Sequence, residues 1–198
     1  MKKSFWQAKA IAFAAAVLFC IPGGAFFAGC SSDSDGGSDT PTDNSEKIEN
    51  SDGTTTLKIQ ENGSGFVSTT GSVKSEFAGY TGNGYLDGIT DGGNIVYTVS
   101  ATEAITDAKI AIHYCNTEAS RIRGALVSVN GTVLNEDSPF SMTYTFKGNK
   151  TDSSAETVAK RWVDTAYLEN VSLKAGSNSI IITGATAGTY TPVGGVMP

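Results

Sequence analysis

The stretch AKIAIHY at residues 108–114 decides the fold class. Large apolar residues stand at every second position, at Ile110, Ile112 and Tyr114, which is the period of a strand with one buried face. Three further stretches have a similar strand composition: IVYTV at 95–99, ALVSV at 125–129 and SIII at 179–182. Turn-forming residues separate the strands: DGGN at 91–94, Asn130-Gly131 and AGSN at 175–178. Short strands at this spacing predict an all-β domain, a sandwich or a barrel.

One stretch, residues 153–161, has a helix-like composition. It is short and has no clear apolar stripe, so we predict a loop there.

The N-terminal residues have the pattern of an export signal. A basic start, Met1 to Lys3, precedes an almost entirely apolar stretch over residues 10–27, which is broken by Pro22-Gly23-Gly24. That break leaves too few residues for a bilayer-spanning helix, which needs about 20, so a cleaved signal peptide is favoured. The sequence FAGC at 27–30 resembles the bacterial lipobox, which implies lipidation of Cys30 and attachment to a membrane. An ordinary signal peptide with an incidental cysteine is the alternative.

These features divide the chain into three parts. Residues 1–29 are the predicted lipoprotein signal peptide, and residues 30–55 are a flexible acidic linker rich in Ser, Asp and Gly, too polar to fold by itself. Residues 56–198 are long enough for one domain with its own core. We expect an exported, lipid-anchored protein on the bacterial cell surface.

Charge and cysteine content exclude several classes of function. The net charge is -6, and loss of Lys2, Lys3 and Lys9 with the signal peptide lowers it to -9. An acidic chain without a basic stripe is not suited to nucleic acid. Cys115 would be left without a partner cysteine, so we predict no disulfide and a buried, unreactive thiol there.

The sequence contains no recognisable catalytic set. His113 is the only histidine, and no Gly-x-Ser-x-Gly elbow occurs. A strand position facing solvent is the expected role of His113. We therefore predict that residues 1–198 are not an enzyme.

Aromatic residues in glycine-rich or polar surroundings are the remaining candidates for a site. Tyr80 and Tyr85 lie in GYTGNGY at 79–85, and Trp162 lies in KRWVD at 160–164. Rings on loops can stack on the C–H faces of sugars, while nearby polar groups bind the hydroxyls. The alternative is that these rings cap the end of the sandwich core.

A set of segments, in order along the chain, resembles the carbohydrate-binding modules of families six and thirty-five, which are β-sandwich jelly rolls. The segments are QEN at 60–62, GYTGNGYLDG at 79–88, GNIVYTV at 93–99, IHYCN at 112–116, Arg121, VSVNG at 127–131, Trp162 and VSLKAGSNSI at 171–180. The resemblance spans residues 59–198, nearly the whole predicted domain.

The resemblance implies a polysaccharide or oligosaccharide partner, bound in a loop cleft. By position, Tyr85 and Trp162 would be the stacking rings, Asn116 and Arg121 would line the site, and Tyr80 is a further candidate. It also implies a structural calcium ion, for which Glu61 and Asp87 are the candidate ligands. Ile59 stands where the family has its first glutamate, so the calcium set departs from the family pattern.

The family pattern also continues past the position of Pro198 with a closing strand. We therefore expect the sequence to be a fragment of a longer protein, in which any catalytic domain lies beyond residue 198; a divergent module with an open sheet edge is the alternative. Two other functions remain open: a glycoside hydrolase or lyase activity of the whole protein, and a surface adhesin that binds another protein.

Overall fold

Two six-stranded antiparallel sheets contain most of the strand residues in the computed structural model, which describes residues 12–13, 17–21, 46–89, 91–119, 121–146 and 148–189. The strands in the first half of the chain are β1 Ala12–Phe13, β2 Val17–Ile21, β3 Glu46–Glu49, β4 Thr55–Ile59, β5 Phe66–Thr69, β6 Ser72–Lys74, β7 Tyr85–Asp87 and β8 Asn94–Ala101. They are followed by β9 Ile105–Tyr114, β10 Arg121–Val129, β11 Thr132–Val133, β12 Phe140–Met142, helix α1 Ala155–Arg161, β13 Val163–Asp164, β14 Leu168–Leu173 and β15 Gly176–Thr189.

The first sheet has the strand order β11-β10-β15-β8-β5, with β12 also paired to β10. The second sheet has the order β13-β9-β2-β4-β3, with β14 also paired to β9. A small third sheet has the order β1-β7-β6. The main core is drawn from both large sheets: Tyr97 and Ile182 come from the first, Ile59 and Ile112 from the second, and each is at most 1% exposed. The predicted β-sandwich is thus confirmed.

The four predicted strands are all present, within β8, β9, β10 and β15. Burial in β8 alternates strictly, with Ile95, Tyr97 and Val99 inward, as expected for a strand with one buried face. The Asn130-Gly131 turn is also confirmed. Both residues have positive φ, 51° and 87°, and they join the paired residues Val129 and Thr132, as in a two-residue hairpin turn.

The prediction of a loop over residues 153–161 is wrong, because Ala155–Arg161 forms a helix. Its charges suit the helix dipole, with Glu156 in the first turn and Lys160 and Arg161 in the last. Val158 packs it against the domain. The helix depends on this packing and has no apolar stripe of its own. No helix of the described residues is both long and apolar enough to cross a membrane.

The folded part of the chain begins before the predicted boundary at residue 56. Strand β3 lies inside the stretch predicted as linker and pairs with β4, with Glu49 opposite Thr55 and Glu46 opposite Lys58. An ion pair of 3.2 Å joins Lys58 Nζ to Glu46 Oε2. Cys30 and linker residues 31–45 lie outside the described residues.

Strand β2 comes from the predicted signal peptide and lies inside the second sheet. Its backbone pairs with β4, where Val17 is opposite Ile59, and with β9, where Val17 is opposite Ile112. β2 is therefore the strand that joins β4 to β9 in this sheet. Whether residues 1–29 are removed is a matter of processing, and their cleavage stays a prediction.

Candidate functional site

Tyr85, Trp162 and Tyr80 meet at one end of the sandwich, in a group of side chains that we call the ring cluster. Its buried members are Phe77, Tyr85, Cys115 and Trp162, with Tyr80, Phe146 and Val158 packed against them. The Tyr85 and Trp162 ring centroids are 5.5 Å apart with the planes tilted by 53°, and Tyr80 lies 6.1 Å from Tyr85. Spacings of this kind are typical of packed aromatic pairs.

Glycine residues allow the loop before Tyr85 to approach the cluster. Gly79 has a φ of +95°, and a Cβ atom there would lie 2.6 Å from the Val158 side chain and 3.0 Å from Trp162 Cδ1. At Gly84 a Cβ atom would lie 2.4 Å from the Lys74 carbonyl oxygen. Because neither position can hold a side chain, the GYTGNGY motif serves the packing of its own tyrosines.

Both predicted stacking rings are buried in this conformation. Tyr85 is 1% exposed and Trp162 is 4% exposed. The Trp162 indole nitrogen donates to the Ala78 carbonyl oxygen at 3.0 Å. The rings thus have the arrangement expected of a cap on the sandwich core, the alternative that the sequence left open. Their role as sugar-stacking rings stays a prediction.

His113 is a neighbour of Trp162 that the sequence did not suggest. Its ring stacks on Trp162 at a centroid distance of 6.1 Å and an interplanar angle of 18°. Its Nδ1 atom lies 2.7 Å from Asp164 Oδ1, which aligns the imidazole. The register explains the contact: Asp164 of β13 is opposite His113 of β9. Since the His113 side chain is partly exposed, it forms a boundary between the ring cluster and solvent.

Arg161 organises the loops around the cluster and was also missed. Its guanidinium is fully buried, donates to the carbonyl oxygens of Ala78 at 2.8 Å and Asn149 at 2.6 Å, and lies 5.1 Å from the Phe146 ring centroid. A planar guanidinium suits several carbonyl acceptors and an aromatic face together. In the sequence, the only signal for this role was that the positively charged Arg161 directly precedes Trp162.

Asn116 and Arg121 lie close together but do not present an open polar site. The Asn116 side chain is buried, and its amide nitrogen donates to the carbonyl oxygens of Arg121 at 3.0 Å and Met142 at 2.8 Å. Its amide oxygen accepts the Glu118 N–H at 2.9 Å. The Arg121 side chain is exposed, with Nε 3.4 Å from Glu118 Oε1. Asn116 therefore connects the start of β10 to the end of β12, and contacts of either residue with a sugar stay a prediction.

Glu61 and Asp87, the candidate calcium ligands, are both held by backbone N–H groups. The Glu61 carboxylate is buried and accepts from Gly84 at 2.8 Å, and burial raises its pKa to about 7. Asp87 accepts from Gly88 at 2.8 Å, and burial raises its pKa too. The described residues contain no group of three or more Asp, Glu, His or Cys side chains suited to a metal ion. Glu61 fits a hard cation as one ligand, but the acidic side chains do not complete a calcium site.

Cys115 is buried within the ring cluster, and burial raises the pKa of its thiol to about 11. A thiol that stays protonated is a poor nucleophile, so the predicted unreactive role agrees with the structure.

No family model matches this sequence, and no curated protein matches it either. Among solved structures, a family 35 carbohydrate-binding module from an environmental isolate is 30% identical, with a TM-score of 0.50 over 66% of this chain and 82% of that chain. The chain belongs to family 35 of the carbohydrate-binding modules. The family 35 fold is also seen in Xyl-CBM35, solved with a disaccharide containing glucuronic acid. That module is 21% identical to this one, with a TM-score of 0.50 over 66% of this chain and 84% of that chain.

Proposed function

We propose that this family 35 module binds carbohydrate without transforming it. The observation that carries the proposal is the 30% identity to a family 35 carbohydrate-binding module over the β-sandwich. The chemistry of the chain agrees with it, since aromatic residues are gathered at one end of the sandwich and the net charge of -6 does not favour polyanionic partners.

Within this proposal, a sugar would bind at the ring cluster, against its solvent boundary. Tyr80 and His113 are the partly exposed rings there, and Tyr85 and Trp162 lie behind them. The buried rings would hold the outer ones in place. Direct stacking on Tyr85 or Trp162 would require the loop carrying Tyr80, or the His113 side chain, to move aside.

A glycan array that includes neutral and uronic acid-containing oligosaccharides tests the function with the full chain. We expect binding to at least one glycan, weakened about tenfold by Tyr80→Ala, because one aromatic contact contributes up to about 1.4 kcal/mol. Tyr144→Ala is the matched control, since Tyr144 is exposed and lies outside the ring cluster.

Absence of binding to every glycan, with and without added calcium, would refute the proposed function. If a glycan binds and both Tyr80→Ala and His113→Ala leave its affinity unchanged, the function stands and the ring cluster is excluded as the site.

We also propose that Cys30 carries a lipid that holds the module at the bacterial cell surface. The support is the lipobox-like FAGC at 27–30 behind a basic and apolar leader. Labelled palmitate fed to expressing bacteria should enter the protein, and Cys30→Ser should abolish the label. Equal labelling of Cys30→Ser would show that Cys30 is not the lipidation site.

A further inference from the structure

A cleft lies where the β11–β12 connection faces the β13–β14 connection, and no residue of the ring cluster lines it. This open cleft has a volume of about 610 Å³ and is lined by residues 133–141 and 165–168. This volume is within the range of small-molecule and oligosaccharide sites. None of the candidate residues predicted from the sequence lines it.

Hydrogen bonds to the central strands hold both walls of the cleft in place. On one wall, buried Asn135 accepts the Val127 N–H at 2.7 Å and donates to the Ala125 carbonyl oxygen at 3.0 Å. On the other wall, the buried Thr165 hydroxyl accepts the Ile112 N–H at 3.0 Å, and the Thr165 N–H donates to the Ile112 carbonyl oxygen at 2.9 Å. A cleft that is already formed costs little ordering entropy when a ligand enters.

Exposed apolar surface is concentrated in this cleft. Of the six large hydrophobic residues that are exposed in the described part of the chain, three line it: Val133, Leu134 and Tyr167. Tyr167 is 43% exposed, in contrast with the buried rings of the ring cluster. Exposed apolar residues gathered in a concave site usually mark a binding surface, and a tyrosine ring suits the C–H face of a sugar.

The charge of the lining selects the kind of ligand. Glu136 and Asp137 are acidic and exposed, and the lining includes no Lys, Arg or His. An anionic sugar would be repelled there. Carboxylates accept hydrogen bonds from sugar hydroxyls, and the Ser138 and Ser141 hydroxyls can donate or accept.

We propose that this cleft binds a neutral, hydroxyl-rich glycan segment, with Tyr167 as the stacking ring and Glu136 and Asp137 as hydrogen-bond acceptors. The proposal rests on the proposed carbohydrate-binding function and adds a second site with its own preference. A module with two sites could engage two segments of one polysaccharide, which strengthens retention without a tighter individual contact.

Affinity gel electrophoresis of the full chain tests the proposal, with xyloglucan and galactomannan as neutral probes and polygalacturonate as the anionic probe. We expect retardation by at least one neutral polysaccharide, about tenfold weaker in Tyr167→Ala and unchanged in Tyr144→Ala. The two tyrosines are matched, being 43% and 42% exposed, but Tyr144 does not line the cleft. We also expect Asp137→Lys to weaken neutral binding and to increase retardation by polygalacturonate.

The outcomes separate the two proposals. If a neutral polysaccharide binds and Tyr167→Ala binds it as the wild type does, the cleft is excluded while the proposed function stands. If the wild type binds polygalacturonate alone, the preference for a neutral glycan is refuted and the function again stands. If the wild type binds no polysaccharide in the gel or on the glycan array, both proposals fall.

Discussion

Glu61 carries a carboxyl group that is 1% exposed, and its burial gives the domain a pH-dependent stability. The unfolded chain releases this proton near pH 4.5, whereas the folded chain retains it up to about pH 7. Between these values the folded state binds more protons, so the free energy of unfolding falls as the pH rises and is level above pH 7. The free energy of unfolding falls by about 3 kcal/mol over this range, because each unit of pKa difference corresponds to ~1.4 kcal/mol.

We therefore predict that Glu61→Gln removes this decline and is more stable than the wild type at pH 8 in a chelating buffer. Urea unfolding of both proteins between pH 4.5 and 8 measures the difference. Parallel pH profiles would contradict the assignment to Glu61. If calcium binds there, adding it at pH 8 should raise the Tm of the wild type and leave that of Glu61→Gln unchanged, because a cation stabilises only the ionised carboxyl group.

At the scale of single residues, the sequence singled out Tyr85 and Trp162, but it did not predict that their rings would pack on each other and be buried. Their burial involves Phe77, Cys115 and Phe146, which come from three separate segments of the chain. Alternation within one strand is a local property, whereas the neighbours of a loop residue are set by the whole fold.

Strand β2 lies inside the second sheet and pairs on both sides, with β4 and with β9. Proline at Phe19 would remove a backbone N–H and fix φ in the middle of a strand. Phe19 is opposite Leu57 of β4 and Ile110 of β9. In the unprocessed chain, which retains residues 1–29, we predict that Phe19→Pro speeds amide hydrogen exchange in both neighbouring strands by up to about tenfold, which is the net effect of one lost hydrogen bond.

Hydrogen exchange followed by mass spectrometry of peptides covering β4 and β9 measures this effect. Phe26→Pro is the matched control, because it makes the same change in the apolar leader after the end of β2 at Ile21. Unaltered exchange in β4 and β9 of Phe19→Pro would show that β2 does not hold these strands together in solution.

At the scale of elements, the four long strands were predictable because each has its own periodic or β-branched pattern. Helix α1 was not, since only Val158 among its apolar residues packs against the ring cluster and no stripe results. The cleft lined by Tyr167 could not be predicted either. Its two walls, residues 133–141 and 165–168, are separated in the sequence. Asn135 anchors one wall to β10, and Thr165 anchors the other to β9.

At the scale of the whole molecule, two regions differ in the exposure of their aromatic rings. The ring cluster is buried, with partly exposed His113 at its boundary, whereas the acidic cleft has Tyr167 exposed. The sequence indicated the class of function through the family resemblance. The sequence did not indicate that two separate regions of the domain could bind carbohydrate. A linear pattern does not show which loops lie on the same face of the fold.

On the proposed export route, the position of β2 also bears on the order of events. A segment with a paired strand on each side has no open edge, so no further strand can pair with it in the folded state. On the proposed export route, folding and export therefore compete for the same five residues of β2. The rate of folding, set largely by the many distant strand pairings, would then determine what fraction of new chains leaves the cytoplasm.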